Sequence, residues 1–344
     1  MTQTVSSPLP DWTYAWDGPV AEAQLKTLPE DFQVTEQLGY ELDGDGEHLW
    51  LWLEKTGQNT EWVVRELAKL WQLPQKAFGY AGKKDRQAVT RQWVSVHLPG
   101  CDDPDWQAVS LPGVQVLEAR RHRRKLQTGG LRANRFGLRL RRFCGDRDVL
   151  AQRLQRLAQN GVPNYFGPQR FGHNGQNLAA ASDWLAHPKR RLPRHLRGLY
   201  LSAMRSAIFN DCLSQRVADE RWDQAIVGDV LMTDSGGCFV MEELDEAIMR
   251  RVAAGELQPT GLLSGRGRLM TQGEPRHWEE AVMARHPVWQ AGLEKAGMKQ
   301  ARRALRLLPE NLSWHWVGDD TLELAFTLPA GTYATTLLRE LIQF

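Results

Sequence analysis

Asp85 is the residue around which chemistry can be built. It stands in the run Gly82-Lys83-Lys84-Asp85-Arg86-Gln87-Ala88-Val89-Thr90-Arg91-Gln92, one carboxylate among the cations Lys83, Lys84 and Arg86. Nearby positive charge depresses a carboxyl pKa and keeps the group ionised, the state a nucleophile or base requires. The same residues also make an ordinary charged turn, and the segment alone leaves both readings open.

Other chemistries lack their residues. The sequence has no GxxxxGK[ST] phosphate loop, no HExxH, no GxSxG and no GxGxxG opening a helix after a strand. Cys101, Cys144, Cys212 and Cys238 form no CxxC pair, and the nine histidines have no metal-ligand spacing. Nucleotide, nicotinamide and zinc chemistry are therefore unsupported, and no cofactor or metal is expected. The N-terminus lacks a signal-peptide pattern and no apolar run reaches membrane length, so a cytoplasmic protein away from membranes is expected.

The net charge of +2 names no partner, but its distribution does. Arg120, Arg121, Arg123, Arg124 and Lys125 form one basic run, Lys189, Arg190, Arg191, Arg194 and Arg197 a second, and Lys299, Arg302, Arg303 and Arg306 a third. Each alone reads equally well as a solvated helix face. Three together point to a polyanion such as a nucleic acid.

The elements that must hold Asp85 follow from periodicity. Residues 32–38 and 48–53 read as strands. Thr60 can cap a helix to about Trp71, with Val63, Leu67 and Leu70 at helical spacing. A short strand at 77–81 and an alternating one at 92–98 bracket the Asp85 turn. Residues 114–117 and 135–141 continue the β pattern, and Phe136, Leu138 and Leu140 share a face there. A helix is expected at 148–157, a mostly helical stretch from 161 to about 308 with a long helix near 199–217, a strand at 322–328 and a last helix. With strands at both ends and helices between, 344 residues suit a β-rich domain carrying an insertion.

The charged run has a further property. It resembles the GxKDxxAxTxQ signature of the pseudouridine synthase D (TruD) family at every fixed position. Residues 30–36 resemble the family's EDFxVxE and 55–60 its KxGxNT. Asn134-Arg135-Phe136 resembles NxF, 164–172 NYFGxQRFG, and 328–335 LPxGSYAT. The motifs keep family order over nearly the whole chain. Thr332 replaces a commoner serine and Ala133 a commoner glycine.

The resemblance implies an α+β fold, a pseudouridine synthase domain with a mixed, largely antiparallel sheet plus a family-specific α/β insertion domain. The catalytic domain would comprise 1–160 and 309–344, and the insertion 161–308. It implies an isomerase that detaches uracil from its ribose, turns it and rejoins it through C5, without a cofactor. The substrate would be tRNA at uridine 13 of the D arm, and the protein a monomer. Asp85 would act at ribose C1′, at base C6, or as a base at C2′. A uracil must leave its stack to be turned. Phe32 and Phe136 would stack on it, Tyr333 would stand at the pocket rim, and Asn134 would donate to and accept from its edge. Lys26 would keep Asp85 or Glu36 ionised. Core packing remains the alternative for the three aromatics. Two rivals stand beside this reading: an RNA-binding protein without catalysis, and a hydrolase using Glu36 and Asp85 as a carboxylate pair.

Overall fold

Alternating apolar residues build one large sheet, and its register decides which side chains meet at the Asp85 turn. A computed structural model of the chain describes residues 9–187 and 191–344. In chain order the first half contains β1 (Ala21–Gln24), β2 (Phe32–Gln37), β3 (His48–Lys55), α1 (Thr60–Leu70), β4 (Phe78–Tyr80), β5 (Val89–His97), β6 (Val114–His122), β7 (Ala133–Gly145), α2 (Arg147–Asn160), β8 (Val162–Pro163) and α3 (Gln176–Ala186). Then follow α4 (Arg194–Ala218), β9 (Val230–Thr233), β10 (Cys238–Val240), α5 (Glu246–Ala253), β11 (Leu257–Leu263), α6 (Gly273–Arg285), α7 (Pro287–Lys295), β12 (Ala301–Ala304), β13 (Arg306–Leu307), β14 (Glu310–Val317), β15 (Thr321–Pro329), α8 (Ala334–Leu338) and β16 (Ile342–Gln343).

These pack as two compact units. One holds Val20–Ala151, Pro309–Gly331 and Ile342–Phe344; the other holds Gln152–Leu308, Thr332–Leu341 and the described residues ahead of Val20.

The first unit is built on the order β14-β15-β7-β2-β5-β3-β6, with β4 beside β5 and β1 between β7 and β16. Pairing is antiparallel except for β2 with β5 and β1 with β16. One register relation matters most: Glu36 of β2 lies opposite Asn134 of β7, and Val34 opposite Phe136. Because side chains alternate across a strand, Glu36, Asn134 and Phe136 emerge on one face. Lys55 and Thr90 are opposite each other at the same end of β3 and β5. Asn59 stands at the N-cap of α1, which buries Val63, Val64, Leu67 and Ala68 against Leu49, Leu51, Leu53, Val94 and Val96. Burying such a side chain contributes about 1.5–3 kcal/mol, so α1 is anchored firmly and its first turn becomes a fixed wall.

The second unit combines helices with a four-stranded sheet in the order β10-β9-β11-β12. Its helical core joins Ala181 of α3, Met204 and Ile208 of α4 and Leu293 of α7. Trp12 stacks on Tyr165, and its indole donates to Asp211 Oδ1 at 2.9 Å. Helices predominate in this stretch, as the periodicity leads one to expect, and the short strands of the sheet lie among them. Pro259 and Gly261 inside β11 read as breakers in sequence. Pro259 has no N–H and Gly261 has no side chain, yet the strand still pairs with β9 and β12 on its two sides. β14 is a further strand beyond those expected, although Leu312, Trp314 and Trp316 alternate along it.

Candidate active site

Two segments far apart in sequence interlock around Asp85. The turn between β4 and β5 carries Lys84, Asp85 and Arg86; the end of β3 and the start of α1 carry Lys55, Gly57, Gln58 and Thr60. The Lys84 N–H donates to Thr60 Oγ1 at 3.0 Å, and that hydroxyl donates to Gln92 Oε1 at 2.8 Å. Arg86 Nε donates to the Gly57 carbonyl at 2.9 Å. Gly57 has φ +74°, where a side chain would be strained, and this turn presents its carbonyl to Arg86. Lys55 is 2% exposed, and its ammonium donates to the carbonyls of Gln58 at 2.7 Å and Asp85 at 2.8 Å, and more weakly to Lys84 at 3.4 Å. Burial lowers its pKa to about 8, against the pull of Asp85.

The Asp85 carboxylate itself is open, its side chain 44% exposed. Oδ2 pairs with Lys26 Nζ, and Oδ1 accepts the Gln87 N–H at 3.0 Å. Partial burial pushes the carboxyl up, but the hydrogen bonds from Lys26 and Gln87 and the charge of Lys26 outweigh it and hold the pKa below the ordinary value. Lys26 sits at φ +60°, a conformation rare for a lysine. Its ammonium also lies 4.2 Å from the centre of the Phe32 ring, a cation–π contact. A strained backbone, a salt bridge and a ring thus hold one ammonium at one carboxylate.

Glu36 is of another kind. Its side chain is wholly buried, Oε1 lies 2.9 Å from Lys84 Nζ, and Oε2 accepts the Trp93 N–H at 2.9 Å. Burial pushes its pKa up, opposed by Lys84. A carboxylate so enclosed leaves no room for the water an inverting hydrolase must activate. Lys84 Nζ also donates to Asn134 Oδ1 at 2.6 Å. Lys26 and Asp85, and separately Glu36, Lys84 and Asn134, are therefore brought together.

Phe32 and Phe136 are 6% and 8% exposed. Their rings meet edge to face at 6.1 Å, and Phe136 stacks on Phe326 at 5.4 Å. They form a packed floor with little open face. Asp31 of the EDFxVxE segment is buried and receives Arg141 through both of its oxygens, at 2.8 to 3.0 Å. Tyr333 belongs to the other unit, where Arg170 donates to its hydroxyl at 2.9 Å and Phe166 lies 6.1 Å away. Arg303 covers Phe166 at 4.1 Å, and burial lowers its pKa to about 10.

The three basic runs separate. In the first, Arg121 pairs with Asp103 at 2.6 Å, Arg123 with Asp45 at 2.9 Å, and Arg120 with Glu118. The third is no surface stripe, which corrects its reading as a polyanion footprint. Arg302 is 5% exposed and ion-paired to Glu279, Arg303 grips Asn164, and Arg306 donates to the carbonyls of Gln159, Asn160 and Val252. Of the second, Lys189 and Arg190 lie outside the described residues, while Arg191, Arg194 and Arg197 are exposed. Among the described residues no group of three or more His, Cys, Asp or Glu is placed to hold a metal ion, and no helix is long and apolar enough to cross a membrane.

Sequence reasoning assigns no role to Lys55, nor to Lys84 as an individual. Both lie inside the motifs that carry the family resemblance, and that membership is the signal that could have found them.

Comparison with known proteins agrees with this geometry. The family model described as tRNA pseudouridine synthase D (TruD) matches residues 11–180 and 176–341. The tRNA pseudouridine synthase D of Hydrogenovibrio crunogenus is 49% identical over 335 residues, 97% of each chain. That of Nitrosococcus oceani is 47% identical over 333 residues, covering 96% of this chain and 93% of its own. A crystal structure from Methanosarcina mazei, solved as a candidate tRNA pseudouridine synthase D, matches with a TM-score of 0.71 over 95% of both chains at 23% identity, a likeness of fold. The chain belongs to the tRNA pseudouridine synthase D family, and is an enzyme of the isomerase class.

Proposed function

We propose that this chain isomerises uridine to pseudouridine in tRNA, at uridine 13 of the D arm, with Asp85 as the catalytic carboxylate. The observation that carries this is an exposed carboxylate kept ionised by Lys26, on a turn whose backbone is fixed by Lys55, Thr60 and Gly57. The N1–C1′ bond breaks, the uracil turns, C5 bonds to C1′, and the C5 proton is lost as N1 gains one. Atoms and electrons balance within the nucleotide, so the reaction needs no cofactor. Attack at C1′, addition at C6 and proton removal at C2′ all require the carboxylate ionised.

Residues 1–160 with 309–344 are assigned to catalysis and 161–308 to the insertion domain, in a cytoplasmic monomer. Phe32 and Phe136 floor the base site, Asn134 meets the base edge, and Tyr333 contributes to holding RNA. Glu36 supports Lys84 from below.

The test incubates the protein with unmodified tRNA and maps pseudouridine by position. Wild type is expected to modify uridine 13, and Asp85→Asn to bind the same tRNA with no product in a single turnover. Modification elsewhere, or activity surviving in Asp85→Asn, overturns the corresponding part.

A further inference from the structure

Asn134 has a donor and an acceptor atom on its amide, and a single contact decides which way round they stand. Lys84 Nζ lies 2.6 Å from Oδ1 and 2.9 Å from Glu36 Oε1. An ammonium only donates, so the amide atom facing it must be the carbonyl oxygen. Turning the amide over would set an NH2 against the NH3+, donor against donor, in a site where Lys84 is 10% and Glu36 0% exposed. Lys84 cannot yield: its own N–H is fixed on Thr60, and Glu36 is fixed by the Trp93 N–H. Glu36 also faces Asn134 directly across the β2–β7 pair. The Nδ2 group therefore points away from the ion pair. Half-buried Asn134 makes no other side-chain hydrogen bond among the described residues.

We infer that Lys84, seated on Glu36, is a positioning residue that fixes the orientation of the Asn134 amide, so that its NH2 is the group offered to a carbonyl oxygen of uracil. This deepens the proposed function and rests on Asn134 facing the base. A uracil edge offers O2 and O4 as acceptors and N3–H as a donor. An amide with free acceptor and donor could take N3–H and a carbonyl together. Held by Lys84, the amide cannot turn over, and its Nδ2 can meet only a carbonyl. If the carbonyl is O4, cytosine, which carries an amino donor at that position, meets donor with donor and is rejected.

The experiment measures single-turnover rates on tRNA carrying uridine, 2-thiouridine or 4-thiouridine at the target, since sulfur is the poorer acceptor. Asn134→Asp keeps an oxygen for Lys84 and replaces the free NH2 with an acceptor. It is expected to slow uridine by roughly tenfold or more, the scale of one buried hydrogen bond, with an unchanged melting temperature. One of the two thio substrates is expected to be slow with wild type and to carry no added penalty with Asn134→Asp; which one it is identifies the carbonyl. In the neutral pair variant Lys84→Met with Glu36→Gln, that thio penalty is expected to shrink because the amide can turn. A purely structural Lys84 would leave it intact. A wild-type rate in Asn134→Asp, equal thio penalties with and without the amide, or a full penalty in the pair variant each overturns the inference. Failure of wild type to convert uridine at all would instead overturn the functional reading beneath it.

Discussion

Lys55 Nζ donates to the main-chain carbonyl of Asp85 at 2.8 Å, while Lys26 takes the side chain of the same residue. One lysine is buried and holds the backbone; the other is partly exposed and holds the carboxylate. Position and ionisation of Asp85 thus have separate causes, and separate variants should disturb them.

Lys55→Met leaves the Gln58 and Asp85 carbonyls without their donor. A loss of about 1–3 kcal/mol of folding stability is expected, with a single-turnover rate that falls while tRNA affinity holds. A pH signature accompanies it. The folded lysine sits at about 8 against 10.5 unperturbed, so between those values the unfolded chain binds more protons. Stability from this group therefore rises with pH across that window and is flat below it. Urea denaturation of wild type and variant from pH 7 to 10 should show the rise in wild type alone, after subtraction of the common background.

Lys26→Met removes the main counterweight to burial at Asp85. The carboxyl pKa should rise, and the acid limb of the single-turnover rate should move to higher pH. The sign follows from the depressed wild-type value: a carboxylate held low stays ionised further into acid. An acid limb that does not move would detach Lys26 from the ionisation of Asp85.

Phe136 packs between Phe32 and Phe326 with 8% exposure. Phe136→Ala is expected to cost about 3–5 kcal/mol, as for a buried aromatic. Phe136→Leu keeps most of the volume and should cost less. Melting temperature and rate measured on one Phe136→Leu sample separate floor from stacking face: a rate lower by roughly tenfold at near-normal stability would mean the base does meet the ring.

The arginines offer a graded test by salt. Exchanging Arg191, Arg194 and Arg197 for glutamine should flatten the slope of log affinity against log salt by roughly one unit for each phosphate no longer neutralised. The same exchange at Arg120, Arg121 and Arg123 should change it little, because each already faces a carboxylate. A reversed order, read from tRNA binding at several salt concentrations, would place the RNA on the other surface.

The motif around Asp85 was legible because its residues are contiguous, and so were the strands beside it, whose apolar alternation is regular. What escaped was proximity through space. Nothing in a linear reading says that Lys55 reaches under a turn thirty residues later, or that Lys84 rather than Lys26 belongs to Glu36. The first basic run looked uncompensated because Asp43, Asp45 and Asp103, which its side chains and the neighbouring His122 reach, lie far from it in sequence. β11 was hidden by Pro259 and Gly261, whose local preferences oppose the pairing that tertiary context imposes.

Strand β7 takes β2 along one edge and β15 along the other, and β15 is encoded after nearly all of the second unit. A ribosome making this chain at about 5–20 residues per second completes β7 roughly ten to thirty-five seconds before it reaches β15. Throughout that interval the nascent sheet presents an open edge, with Phe136, Leu138 and Leu140 lacking the neighbours Phe326, Leu324 and Leu322 that later cover them. The packed floor of Phe32, Phe136 and Phe326 is thus finished near the end of synthesis, and the growing polypeptide is most open to mispairing and chaperone capture while its middle third is being translated.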